Sequence, residues 1–429
     1  MNISTGHHHP DGGTAGIGAS IGLCQTPDQD GEALGGDTDM IPRTLFSTEH
    51  EIFRGTVQRF IAEHVTPYHA DWEKAGEVPR GLWLKAGKLG LLLCNIPEKY
   101  GGMGGDFLHS AILVEEFSLA GATGPTFYLH SDIVAPYLVD FGTEEQKQKY
   151  LPRMAKGEVT GALGMSEPSG GSDVAAMRTV AIRDGDDYVI NGQKVFITNG
   201  HTADLLLLAC KTNPSAGGRG VSLILVETDT PGYERGRKLD KLGFRAQDTS
   251  ELFFADMRVP AGNLLGGEGA GFAQLMTQLS QERLIQAIRA VASAESALRW
   301  TIDYVSGREM FGHTLADFQN TRFELGGMHA EVLAQRVFID RCTELHMHGD
   351  LDATDAAAAK LVTTELQGKV MDRCLQLFGG WGYMWEYPIT RAFADARMSR
   401  IGGGAVEVMK QIIANSLLPK QARMERRDR

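Results

Sequence analysis

The chain has 429 residues, 42% of them hydrophobic, and carries 54 acidic against 42 basic side chains for a formal charge of −12. That length holds two or three domains with a sizeable core, and the acidic balance excludes a nucleic-acid surface, which needs clustered Lys and Arg. The longest wholly apolar stretch, around Leu205–Cys210, falls far short of the roughly 20 residues a bilayer helix needs.

Residues 1–43 are rich in Gly, Asp and Thr, and the first 42 hold no Lys or Arg. Such a segment cannot bury enough apolar surface to order itself, so a disordered extension is expected. It has neither the Arg-rich amphipathic character of a transit peptide nor the apolar core of a secretory signal, which makes a bacterial cytosol the expected location. His7, His8 and His9 read as a polar triplet, and no metal site is expected. Cys24, Cys94, Cys210, Cys342 and Cys374 are scattered with no Cys-x-x-Cys pair, the pattern of reduced thiols.

From Ser47 the apolar period is helical: Ile52, Val57, Phe60, Ile61 and Val65 recur three or four apart, and similar stripes run through 82–93, 110–119 and 146–154. A helical domain over 44–160 follows. Between 161 and 268 the period shortens to β-branched and aromatic runs at 188–190, 195–198, 205–209, 221–226 and 252–254, broken by Asp-Gly, Asn-Gly and Pro-Gly turns. This predicts a central β domain. Helical stripes return at 279–305, 321–346, 353–378 and 406–417, predicting a helix bundle over 269–420 and a basic tail over 421–429. Helical, then β, then helical blocks predict an α+β chain of packed layers rather than a parallel α/β sheet.

Two blocks carry the chemistry. In GMSEPSGGSD (Gly164–Asp173), Ser166 and Ser172 supply hydroxyls, Pro168 fixes one backbone angle, and Gly170 and Gly171 let main-chain N–H groups face an anionic, planar ligand. In VFITNG (Val195–Gly200), Phe196 offers an aromatic face and Thr198 a hydroxyl at alternate strand positions, so both are expected on one side of the sheet. Together they suit a flavin ring.

In this order the blocks resemble the flavin-binding signature of the acyl-CoA dehydrogenases. The likeness continues through PEKYGGMGG (97–105), KLGFRAQDTSELFFADMRVP (241–260), YVSGREMFG (304–312) and QLFGGWGYMWEYPITR (376–391), and covers roughly 44–418. It implies an N-terminal helical domain, a central β domain and a C-terminal four-helix bundle, with FAD and an acyl-CoA thioester between the last two. It also implies a homotetramer built as a dimer of dimers, with electrons passing to an electron-transferring flavoprotein. The reaction removes a proton from the α-carbon and a hydride from the β-carbon, which demands a carboxylate base and a device that acidifies the α-proton.

In most members the base is a Glu in a Tyr-Glu-Gly-Thr stretch before the final helix. Here the segment reads IGGGAVEVMKQIIA (401–414), with Gly403 at that position. A minority, including long-chain and isovaleryl-CoA dehydrogenases, carry the base on the first long helix of the C-terminal domain, where this chain has LSQERL (279–284). The resemblance therefore makes Glu282 the base and Gly403 the residue whose N–H holds the thioester carbonyl. Taken alone, Glu282 reads as a solvated helix carboxylate. For FAD the resemblance implies Leu163, Met165, Ser166, Gly171, Ser172, Phe196, Ile197 and Thr198, with Arg308, Phe311, Gln319, Gln376, Gly379, Gly380, Ala405 and Glu407 toward its pyrophosphate and adenine, some across a subunit boundary. For the thioester it implies Ser172, Leu279, Arg283, Gly402 and Gly403. Trp381, Tyr383 and Trp385 read as core and interface packing. Two alternatives stay open on the same fold: a flavoprotein that passes its electrons to oxygen, and a non-catalytic flavin-binding partner.

Overall fold

A computed structural model describes residues 41–418. The N-terminal extension, the His7–His9 triplet, Cys24 and the basic tail lie outside the described residues. The first helices are α1 (Thr48–His64), α2 (His69–Ala75), α3 (Arg80–Lys88), α4 (Phe107–Leu119), α5 (Ala135–Phe141) and α6 (Glu144–Ala155), with a π-helical turn at Leu129–Val134 leading into α5. Reciprocal caps start three of them: Ser47 with His50, Asp106 with His109 and Thr143 with Gln146. Asp106 also takes a bond from His50 (3.1 Å), which ties the starts of α1 and α4 together.

Then come β1 (Gly161–Gly164), β2 (Val180–Asp184), β3 (Asp187–Thr198), β4 (Leu205–Lys211), β5 (Val221–Glu227), β6 (Tyr233–Lys238), β7 (Thr249–Pro260) and β8 (Leu264–Leu265). They form one sheet in the order β6-β7-β3-β2-β4-β5-β8, with β1 added parallel on β4. The last third holds α7 (Gly271–Gly307), the short pair β9 (Glu309–Met310) and β10 (His313–Thr314), α8 (Gln319–Met347), α9 (Ala353–Phe378), α10 (Pro388–Ser399) and α11 (Val406–Leu417). At 37 residues α7 is about 55 Å long and packs along α4, α8, α9 and α10.

Three differences from the sequence expectations have local causes. The stripe at 82–93 is helical only to Lys88, because Gly90 and Leu93 take left-handed φ of 69° and 52° and turn the chain inward. Asn191-Gly192 is not a turn: both lie inside β3, where the register against β7 slips and Gly192 adopts φ 150°. Trp381 (44% exposed) and Tyr383 (83% exposed) stand outside the core of the chain, which leaves an interface as the place they would pack.

Candidate active site

The flavin-like blocks meet through a buried ion pair. Lys194 Nζ donates to Glu167 Oε1 (2.8 Å) and to the Met165 carbonyl (3.1 Å), while the Arg178 and Thr179 N–H groups also bind the Glu167 carboxylate. Burial is the largest single influence and raises the Glu167 pKa, but the Lys194 bond and charge together with the Thr179 bonds outweigh it and hold the carboxyl below its usual range. The Val195 N–H donates to the Ser166 carbonyl (3.0 Å), so the loop is pinned to the strand that carries Phe196.

Phe196 does not follow simple strand alternation. A second register slip lies between Lys194 and Ile197, Phe196 has φ 61°, and its ring is 68% exposed. A phenylalanine held in the left-handed region is strained in its backbone, and here its ring is also left in solvent, the kind of outlier that clusters at ligand clamps. Thr198 Oγ1 accepts from Gln247 Nε2 (2.8 Å), which leaves its own proton to donate. Ile197 is buried in the sheet core, so only its backbone faces a ligand. Leu163, Met165 and Ser166 are half-buried, and Gly171 and Ser172 are exposed. A Cβ at Gly171 would meet nothing within 4 Å.

The other wall is α7. Glu282 is buried and accepts a bond from the Tyr137 hydroxyl of α5 (3.1 Å). Burial pushes its pKa up to about 7, against the opposing pull of the Tyr137 bond and of Arg283. One turn on, Gln286 packs against the loop before α11: a Cβ at Gly403 would stand 3.3 Å from Gln286 Cγ. Gly403 has φ 64°, and its N–H donates to no group among the described residues. Gly402 and Ala405 flank it half-buried, a Cβ at Gly402 would strike the Met398 side chain, and Glu407 is exposed on α11. Lys360 of α9 donates to the Gly404 carbonyl (2.5 Å). Burial and then Arg283 lower the Lys360 pKa to about 8, with Glu407 opposing. Arg283 is buried with Nε unpartnered, and Leu279 is half-buried one turn earlier.

The π-helical turn spans the two walls. Gln281 Nε2 donates to the Asp132 carbonyl (2.6 Å) on one side, and on the other the Gly161 N–H of β1 donates to His130 Nδ1 (3.0 Å). Arg308, Phe311, Gln319, Gln376, Gly379 and Gly380 are exposed. The ends of α7 and α9 that carry several of them are joined where the Tyr304 hydroxyl donates to the Phe378 carbonyl (3.3 Å).

Models of the acyl-CoA dehydrogenase N-terminal, middle and C-terminal domains match residues 47–158, 162–257 and 269–418. The chain belongs to the acyl-CoA dehydrogenase family. Long-chain specific acyl-CoA dehydrogenase, mitochondrial, of Rattus norvegicus is 48% identical to it over 383 residues, 89% of each chain. An acyl-CoA dehydrogenase from Geobacillus kaustophilus superposes with a TM-score of 0.86 at 47% identity, over 88% of this chain and 100% of that one. A glutaryl-CoA dehydrogenase from Mycobacterium smegmatis in complex with FADH2 gives 0.83 at 28% identity, over 90% of this chain and 97% of that one.

As an acyl-CoA dehydrogenase the chain is an FAD-dependent oxidoreductase that dehydrogenates acyl-CoA thioesters. The residues present fit FAD: an open glycine cradle, an exposed aromatic ring held by backbone strain, and a threonine hydroxyl with a proton to give. Sequence reasoning missed Tyr137, Gln286 and the Glu167–Lys194 pair. Gln286 was signalled by its spacing of four from Glu282, and Lys194 by a charge inside an apolar strand. Tyr137, 145 positions from Glu282, carried no local signal.

Proposed function

We propose that Glu282 is the base that takes the α-proton of the thioester and that the Gly403 N–H polarises its carbonyl. The observation that carries this reading is the buried Glu282 carboxyl, with a pKa of about 7, on the helix face that packs on the uncommitted Gly403 donor. A base tuned near neutrality is half ready at working pH. Tyr137 fixes which way the carboxylate points, and the covering side chains exclude water. When bound, FAD supplies the acceptor for the β-hydride. The Ser166–Ser172 loop, Phe196 and Thr198 would hold its ring, joined by Leu163, Met165 and the Ile197 backbone.

Arg308, Phe311, Gln319, Gln376, Gly379 and Gly380 serve its pyrophosphate and adenine, joined by Ala405 and Glu407. Their exposure in a single chain fits a contact completed by a neighbouring subunit of a homotetramer. Arg308→Ala is then expected to weaken FAD retention and assembly together, read by absorbance and sedimentation. Ser172, Leu279, Arg283 and Gly402 contact the thioester, and an electron-transferring flavoprotein accepts the electrons. The described cysteines are buried and unbridged, which supports a reducing, cytosol-like compartment.

The test is anaerobic bleaching of the flavin by a panel of acyl-CoA thioesters, followed by reoxidation with a flavoprotein acceptor or with oxygen. Failure of every thioester to bleach the flavin refutes the reading. Rapid turnover on oxygen alone refutes the choice of acceptor.

A further inference from the structure

The face of α7 that carries Glu282 turns polar over its next two turns. Gln286 follows one turn on, and Arg289 another turn after that, about 10 Å along the axis from Glu282. Beyond Arg289 opens a cavity of about 70 Å³ between α4, α7, α9 and α10. Its walls mix Leu113, Phe117 and Trp300 with Thr123, Ser293 and Asp395.

Arg289 is half-buried and lies over two rings, 4.4 Å from the Tyr128 centroid and 5.2 Å from that of Phe244. Its Nη1 donates to the Tyr128 hydroxyl (3.0 Å) and to Gln286 Oε1 (3.1 Å). Among the described residues, Nε and Nη2 have no acceptor, and the guanidinium makes no ion pair. The nearby carboxylate, Asp395, feels the Arg289 charge, but its hydrogen bonds go to the Phe244 N–H (2.5 Å) and the Thr123 hydroxyl (2.9 Å). Gln286 Nε2 is likewise unpartnered. The molecule thus holds a half-buried cation with spare donors in the wall of a cavity.

A purely hydrocarbon chain passing this point would strip the remaining water from a charge with no hydrogen-bonded anion, which is unfavourable. A planar fork with two free donors is instead suited to a carboxylate, which it binds bidentately. We propose that Arg289 selects acyl-CoA thioesters whose chain ends in a carboxylate about two helical turns from Glu282. This rests on Glu282 and Gly403 marking the reacting end, and it names the substrate class of that same site. Gln286 orients the guanidinium through its Oε1 and offers Nε2 as a further donor along the chain. Arg289 is a specificity residue and touches no reacting atom.

The experiment compares kcat/KM for terminally carboxylated acyl-CoAs with that for unsubstituted acyl-CoAs of equal carbon number, read by anaerobic flavin bleaching of the FAD-loaded enzyme. The wild-type enzyme is expected to favour the carboxylated member of some pair by at least about tenfold, the size of one charge-assisted bond. Arg289→Met is expected to invert that preference with FAD content unchanged, and Arg289→Lys to keep part of it. Equal or better turnover of the unsubstituted series by wild type overturns the proposal, without any need for the variants. So does an equal loss on both series in Arg289→Met. Those outcomes leave the dehydrogenase reading intact, whereas bleaching by no thioester at all sinks both.

Discussion

Replacing Glu282 by Gln keeps the size of the side chain and its bond from Tyr137 but removes the basic oxygen. Two separate effects follow. A native pKa of about 7 against an ordinary 4.5 means that the unfolded chain gives up this proton first as pH rises. Between those values the native state binds more protons, so the contribution of Glu282 to stability is full below about 4.5 and is lost as pH rises through about 7. The shift corresponds to about 3 kcal/mol at 1.36 kcal/mol per unit. Glu282→Gln has no such dependence, so relative to wild type it should be more stable at pH 8 than at pH 4.5 by up to about 3 kcal/mol, measured by denaturant unfolding of FAD-loaded protein. Turnover should move the other way. Flavin bleaching by the best thioester should fall at least about 10²-fold, the lower bound for a general base, with thioester binding and flavin content retained. Wild-type kcat/KM should rise with pH to a plateau above about 7. Near-normal flavin reduction by Glu282→Gln would refute the assignment, and a relative stability independent of pH would refute the burial argument.

Tyr137→Phe removes a bond that holds the Glu282 pKa down, so the rising limb of the kcat/KM profile should move alkaline by about one unit. Glu installed at Gly403 in the Glu282→Gln background should restore part of the activity, since position 403 packs one turn from Glu282. It meets φ 64°, which costs about 1 kcal/mol, and Gln286 Cγ at 3.3 Å, so adding Gln286→Ala should raise the rescued rate in the same bleaching assay. Lys194→Met leaves the buried Glu167 carboxylate unpaired, which should lower stability by about 3–5 kcal/mol and release FAD, read by unfolding midpoint and flavin absorbance.

The layered order of helical, β and helical segments was legible because long periodic runs report which face is buried. The stripes at 353–378 and 406–417 coincide with α9 and α11. What period could not show was the short or irregular structure: β1, β6 and α10, the end of α3 at Lys88, and the two slips in β3. At Phe196 the sequence offered an aromatic face by strand alternation, whereas the ring's exposure goes with a register slip and a left-handed φ that alternation does not predict. Candidate site residues came from motif likeness. The contacts that give them chemical character came from distant segments, with Tyr137 raising no flag in a window around Glu282. Arg289 looked like an ordinary charge on a long helix until Tyr128, Phe244 and the cavity surrounded it.

The π-helical turn at Leu129–Val134 has a mechanical consequence. One six-residue segment is fastened to α7 through the Asp132 carbonyl and to β1 through His130, so the gap between base and cradle is set like the span of a rigid bracket. Burial lowers the His130 pKa to about 4, so the imidazole stays neutral and the Gly161 fastening holds across the physiological pH range. The wider turn gives up regular helical bonding in exchange for reach to both sides. Backbone amides on either side of it should therefore exchange as one protected unit, with or without thioester, and motion should concentrate at the exposed Ser172 end of the loop.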